Sequence, residues 1–281
     1  MRTRKKLRGS FGYYVGLVPF LVFSLFPFYW MVITSLKKKS ELYNLASNPL
    51  FVQKGIAWEN FTFLFKQTLF GIWYKNSVVT SVLATILSVA VSILAAYSLA
   101  RLKFRGSQFF GIAIFFSYLV PPALLFVSLF DVINFFGLAD NVFSLVIAFP
   151  TFAIPFSTWL LMGYFSSIPK EIEESAMVDG ATRFQTITKI IFPIAIPGII
   201  TSALFSFALC WSSLIYPLAF LSSGPQKVLT SGLITDLIRG DVFYWGPLMA
   251  AATLATVPIV LIYTFAMEYF VSGLVQGAVK Y

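Results

Sequence analysis

The chain has no histidine, a single cysteine (Cys210) among its 281 residues, and only 11% charged residues. Each scarcity removes a class of function. Without histidine the commonest general acid and base at neutral pH is missing, and Cys210 has no charged neighbour to hold a thiolate, so hydrolytic and thiol chemistry are disfavoured. One cysteine also forbids an internal disulfide, and Cys210 reads as a packing residue. No Gly-Lys dipeptide occurs anywhere, so there is no G-x-x-x-x-G-K-[ST] loop to cradle phosphates. Any ATP used must be handled by another chain.

Apolar residues are what the chain has in excess: 58% are hydrophobic, 32 are phenylalanine, and the mean hydropathy is +0.84. A soluble domain carries roughly 25% charged residues, so this is an integral membrane protein. Uncharged runs cover 9–36, 76–100, 106–130, 141–169, 190–226 and 242–267. About 20 apolar residues cross the hydrocarbon layer, so six transmembrane helices are expected. The run 190–226 reads as one crossing, Gly198 to Tyr216, with bent ends at Pro193, Pro197 and Pro217. In the second run, Ala84, Ser88, Ser92, Ala95 and Ala96 recur near helical spacing and suit close helix packing.

With the amino terminus inside, twelve basic residues fall on the cytoplasmic side and eight outside, which places both termini and the 164–193 loop in the cytoplasm. Lys37-Lys38-Lys39, just outside the first span, runs against that count. The positive-inside asymmetry explains most of the net charge of +9, and the spans leave no room for a nucleic-acid fold. The polar segment 37–75 reads as an outer loop with short helical turns. Asp131 and Asp140 read as residues of an exposed turn, because a mid-membrane aspartate costs about 2.5 to 3.5 kcal/mol.

One polar interruption has a helical pattern of its own, Pro169 to Gly198. Pro169 suits a helix start, with Glu171, Glu173 and Glu174 favoured by the positive end of the helix dipole. Ile168, Ile172 and Ala176 recur at spacings of four, giving a narrow apolar face with Ser175 beside it. Gly180 suits a left-handed stop, and Thr182 with Gln185 forms a capping box for a second helix. Pro193 and Pro197 are expected to bend or break that helix. From Lys170 to Lys189 three basic residues face four acidic ones. A helix lying on lipid is usually basic on its polar face, so this balance favours a protein partner.

Glu174-Ser175-Ala176, Asp179-Gly180-Ala181 and Ile191-Phe192-Pro193 resemble the EAA loop of the membrane subunits of ABC importers, in the form of carbohydrate permeases of the maltose type. Ser175 stands where that family usually has alanine. Asn76-Ser77 and Ala96-Tyr97 with Ala100-Arg101 resemble the start of the family's permease core, and Ser272 to Lys280 resembles the tail of its G-type subunits. After Trp211 the chain has Ser212 and Ser213 where such permeases commonly have Asn and a polar or acidic residue. The resemblance implies an all-α membrane protein of six transmembrane helices, with a cytoplasmic EAA-type coupling helix between the fourth and fifth. Residues 1–75 would form the amino terminus, first span and outer loop, and 76–281 the permease core with its coupling loop at 166–193.

The resemblance further implies contacts to an ATPase through Glu171, Glu174, Ser175, Ala176, Asp179, Gly180 and Ala181, and through the tail residues Gln276 and Gly277. In this reading Glu174 anchors by its charge, Ala176 allows close approach, and Asp179 and Gly180 form the turn. The implied partners are a second homologous permease, two ATPase subunits that hold ATP and Mg, an extracytoplasmic solute-binding protein and the lipid bilayer of a prokaryotic cell. No cofactor, metal or catalytic residue is expected in this chain, and none of its residues is assigned to substrate. The competing class is a self-sufficient secondary transporter or channel. Such carriers usually need ionisable groups near mid-membrane, and the centres of the six runs hold none.

Overall fold

The computed structural model describes the backbone of residues 2–102, 104–239 and 242–278, and the side chains of 15–102, 104–238 and 243–267. In chain order the helices are α1 (Arg2–Ser35), α2 (Lys39–Leu42), α3 (Glu59–Gln67), α4 (Phe70–Arg101), α5 (Ser107–Tyr118), α6 (Pro122–Phe135) and α7 (Ser144–Ala148). There follow α8 (Pro150–Ser167), α9 (Lys170–Val178), α10 (Arg183–Thr186), a π-helical turn (Ile187–Ile191), α11 (Phe192–Ser212), α12 (Ile215–Phe220), α13 (Leu229–Leu237) and α14 (Trp245–Ala278). A two-residue antiparallel ladder pairs Ile238–Arg239 with Val242–Phe243. The chain divides into two compact units, Met1–Phe70 with Leu233–Val257, and Gly71–Gly232 with Pro258–Tyr281.

Among the described residues, five helical segments are long and apolar enough to cross a membrane: Val15–Ser35, Phe70–Arg101, Ser144–Ser167, Arg183–Ser212 and Trp245–Met267. The sixth expected span, 106–130, is not straight. It is a pair, α5 and α6, bent by 99° at Leu119 to Pro121. Adjacent Pro121 and Pro122 supply no backbone donors, and a residue before proline is driven out of the helical region, so α5 ends there and α6 begins with Pro122. Asp131 therefore lies within a helix, exposed, and not in a turn.

Pro193 and Pro197 do not break the fifth span. Helix runs continuously from Arg183 to Ser212, and the deformation appears as the π turn Ile187–Ile191 just before Pro193. In a regular α-helix the Pro193 ring would collide with the Lys189 carbonyl and leave it unbonded; the wider π turn relieves that collision.

The second unit is organised around α8 and α11. Gly198 is required at their crossing, because a Cβ there would lie 2.5 Å from the Tyr164 ring. Ser157 and Ser206 share a buried hydroxyl bond of 2.7 Å between the same helices, and Ser92 of α4 donates to the Ile154 carbonyl. Small residues thus bring helices close, and Ser157, Ser206 and Ser92 find partners across the helix contacts they make. Cys210 is buried in the apolar cluster formed with Ala84, Phe149 and Tyr216.

In the same unit the turn before α7 is tied to the segment before α13. Asp140, at φ +51°, accepts from the amides of Ser222 and Ser223 and from the Ser223 hydroxyl. Trp73 Nε1 donates to Gly224 O, and Asn76 Nδ2 to the carbonyls of Pro225 and Lys227. Three donors, the Ser223 hydroxyl first, hold the Asp140 carboxyl down at about 2, so its charge is part of the tie.

The first unit accounts for one lysine of the basic cluster 37–39. Lys37 is 4% exposed; its ammonium donates to the carbonyls of Asn48 and Pro49 and lies 3.8 Å from Glu41. Glu41 in turn accepts the amides of Gln53 and Lys54. Lys37 is a structural fastener of the 37–54 loop rather than a free surface charge.

Candidate functional site

The short helix α9 and the turn after it are built as the sequence leads one to expect. Pro169 is extended (φ −57°, ψ 136°) and α9 starts at Lys170 with Glu171 and Glu173 in its first turn. It ends in a Schellman motif: Ala181 N–H bonds to Ala176 O at 3.0 Å and Gly180 N–H to Met177 O at 3.1 Å, with Gly180 at φ +87°. Thr182 and Gln185 then form a reciprocal capping box that starts α10. A stop and a start device within ten residues, Ala176 to Gln185, connect α9 to α10.

The inner face of α9 is seated on the bundle. Ile168 and Ala176 are buried, and Ile172 packs beside them against a cluster of Ala96, Tyr97, Leu161, Tyr164, Phe165, Ile191 and Ala195. Sequence reasoning found this face but missed the polar contact that completes it. Arg101, the last residue of α4, places its Nε 3.1 Å from Glu173 Oε1, and its side chain is 3% exposed against 15% for Glu173. The same guanidinium donates to the Ile168 carbonyl, and Tyr97 donates to Glu173 Oε2 at 3.3 Å. Glu173 is three residues before Ala176 and so shares its face, a signal present in the sequence.

The outer face holds the remaining residues. Glu171, Glu174, Ser175, Asp179 and Gly180 are exposed, and Ala181 is half-buried. Asp179 closes α9 through its backbone, its amide bonding to Ser175 O. Beside them stand large apolar side chains open to solvent: Val178 is 87% exposed and Phe184 74%. The structure thus gathers Glu174, Ser175, Asp179 and Gly180 with Val178 and Phe184 around one turn, while Ala176 faces the other way, into the bundle. Gln276 and Gly277 lie on α14 in a stretch whose side chains are outside the described residues.

No group of three or more Cys, Asp or Glu side chains able to hold a metal occurs among the described residues. Ser212, one of the two serines after Trp211, donates its hydroxyl to Ala208 O of its own helix at 2.7 Å.

Comparison with known proteins carries the same pattern over the whole chain. Residues 88–276 match the family described as binding-protein-dependent transport system inner membrane component. The chain is 34% identical to the inner membrane ABC transporter permease protein YcjP of Escherichia coli K12, covering 100% of both sequences. It is 31% identical to the trehalose/maltose transport system permease protein MalG of Thermococcus litoralis, covering 95% of each. Among solved structures it superposes on a chain of a bacterial ABC transporter that imports the acidic polysaccharide alginate, with a TM-score of 0.79 at 21% identity, over 95% of this chain and 98% of that one. A helical chain with five or six candidate spans that matches this family over two-thirds of its length and a permease end to end belongs to the inner membrane components of binding-protein-dependent transport systems.

Proposed function

We propose that the chain is one transmembrane half of an ATP-driven, binding-protein-dependent importer for a sugar or oligosaccharide, and that α9 with its turn is where ATP hydrolysis is coupled to the spans. The observation that carries this is the two-faced turn. Val178, Phe184, Glu174 and Asp179 are displayed to solvent, while directly behind them Glu173 is fastened to Arg101 at the end of the second span. A face with exposed apolar residues rimmed by carboxylates is a protein-docking surface, and Val178 and Phe184 are the anchors it offers.

A push on that surface is passed inward by parts that do not yield. The Schellman turn and capping box keep α9 and α10 as one body, and the Glu173, Arg101 and Ile168 contacts join that body to α4. The buried Ile168, Ile172 and Ala176 face joins it to α8 and α11. Alternating access then follows from rigid elements swinging together, a rearrangement of helices rather than chemistry in this chain. ATP and Mg belong to two partner ATPase subunits, and a homologous permease completes the pathway.

This reading puts both termini and α9 in the cytoplasm, with residues 37–75 and 218–247 outside, where a solute-binding protein delivers substrate. Removing Lys37 from the exposed charges, because it is buried against Glu41 and two carbonyls, supports that orientation. The sugar class rests on relatives whose names give trehalose/maltose and diacetylchitobiose as cargo. The test is reconstitution with a partner permease, ATPase subunits and a solute-binding protein. Saccharide-stimulated ATP hydrolysis with uptake supports the proposal. Ion-gradient-driven flux through the purified chain alone refutes it.

A further inference from the structure

The first unit contains a cleft of about 680 Å³ that the coupling reading does not use. One wall is the face of α3 that carries Glu59, Thr62, Phe63 and Lys66; the others are Lys39, Leu42 and Tyr43, and the segment Phe243 to Pro247. The size is that of a small-molecule site, which typically spans roughly 300 to 1,000 Å³.

The walls are fixed in advance by bonds that leave the polar rim free. Tyr43 donates its hydroxyl to Phe243 O at 2.9 Å, and Asn60 donates to Ser35 O and Lys37 O. Gly246 lies so close to Asn60 that an added Cβ would meet its amide at 2.5 Å. Phe63 stacks on Tyr244 and Phe243 on Trp245, with interplanar angles of 23° and 11°. Tyr43, Tyr244 and Trp245 nevertheless keep 57%, 36% and 42% of their surface open. Lys39, Glu59, Lys66 and Gln67 are exposed and make no side-chain hydrogen bond or ion pair among the described residues.

We propose that this cleft is an outer saccharide subsite. It holds a neutral di- or trisaccharide, sugar-ring C–H faces lying on Tyr43, Tyr244 and Trp245, and hydroxyls bonded by Glu59, Lys66 and Gln67. The lining decides the ligand class. Flat aromatic faces match the apolar faces of pyranose rings, and hydroxyls, which both donate and accept, suit a rim with a carboxylate, an amide and ammonium groups together. An anionic lipid headgroup would meet the Glu59 carboxylate among the lysines. The proposal rests on the sugar-importer reading and adds a site to it, remote in sequence from α9.

The complete importer in lipid nanodiscs, without ATP, tests this by saturation-transfer difference NMR with maltose, trehalose and diacetylchitobiose as probes. The subsite predicts saturable transfer to at least one of them, weakened tenfold or more by the double variant Glu59→Ala/Lys66→Ala and by Tyr244→Ala. Both Glu59 and Lys66 are exposed and unpaired, so their replacement leaves the fold intact. The proposal is overturned if transfer is absent, if the variants leave it unchanged, or if phosphatidylglycerol competes it away, which would mark a lipid site. Saccharide-stimulated ATP hydrolysis, measured once ATP and Mg are added to the same nanodiscs, separates the failures. If it persists while the variants bind normally, only the subsite falls; if it is absent for all three sugars in the unaltered complex, the importer reading falls with it.

Discussion

Consider replacing Arg101 by methionine, which keeps the length of the side chain and removes the charge that faces Glu173. At 3.1 Å and an effective dielectric of about 20, Coulomb attraction is worth about 5 kcal/mol before desolvation. Burying the two ions costs several kcal/mol, and Arg101 Nε does not align on Glu173 Oε1 as a hydrogen bond, so most of that attraction is offset. Removing one partner strands the other in a nearly buried setting. Arg101→Met should therefore cost about 3 kcal/mol, and Glu173→Gln somewhat less, because the amide oxygen still accepts from Tyr97. The double variant should cost less than the sum, with a coupling energy of about 2 kcal/mol. The assay is denaturant unfolding of the purified chain in detergent, run beside the number of saccharides imported per ATP hydrolysed. Strict additivity, within about 0.5 kcal/mol, would refute the pairing. An unchanged import ratio in both single variants would refute its mechanical role.

Gly180→Val places a β-branched residue at φ +87°, where no neighbour crowds it and the whole cost is backbone strain of about 1 to 3 kcal/mol. ATP hydrolysis should then lose its dependence on saccharide, with Gly180→Ala milder; normal stimulation and uptake in Gly180→Val contradict the account. Gly198→Ala should destabilise by about 1 to 3 kcal/mol because its methyl enters the Tyr164 ring, and Tyr164→Leu in the same chain should restore part of the loss in unfolding experiments. Asp140 titrates lower in the fold, about 2, than its ordinary 3.8, so its stabilisation is complete above pH 4 and lost as pH falls from 4 towards 2. Asp140→Asn should abolish that acid-sensitive component in hydrogen-exchange protection of Ser222 and Ser223 amides, and an unchanged acid profile counts against the tie.

The helices of this fold were legible because lipid leaves so few options: an uncharged run of sufficient length is a span, and a proline, glycine or capping box among polar residues marks a turn. Gly180, Thr182 with Gln185, and the Ile168, Ile172 and Ala176 face all follow from local rules, and the structure places each as those rules require. What escaped depends on distant partners. The ion pair of Arg101 and Glu173 spans 72 positions; the spacing to Ala176 turns Glu173 inward, but nothing near it names Arg101 as its partner. Lys37 looked like a free charge because its burial is decided by the Asn48 and Pro49 carbonyls. The prolines misled in both directions. Pro121 with Pro122 splits a run that reads as continuous, while Pro193 and Pro197 sit in a continuous helix, Pro193 accommodated by the π turn before it. A proline's cost is local, but whether the helix ends, bends or widens is settled by packing. Val178 and Phe184 as an exposed pair could not be read from sequence, since their exposure is a property of the docked helix.

The most direct test of the central claim uses the chain's lone cysteine, buried at Cys210, as a silent background. Val178→Cys, at a position 87% exposed, is labelled with a short photo-crosslinker in membranes that contain the whole importer. The account predicts a covalent adduct with the ATPase subunit, and none for Lys54→Cys in the loop assigned to the opposite side of the membrane. An adduct of Val178→Cys with lipid alone, or an ATPase adduct formed only through residue 54, would contradict it.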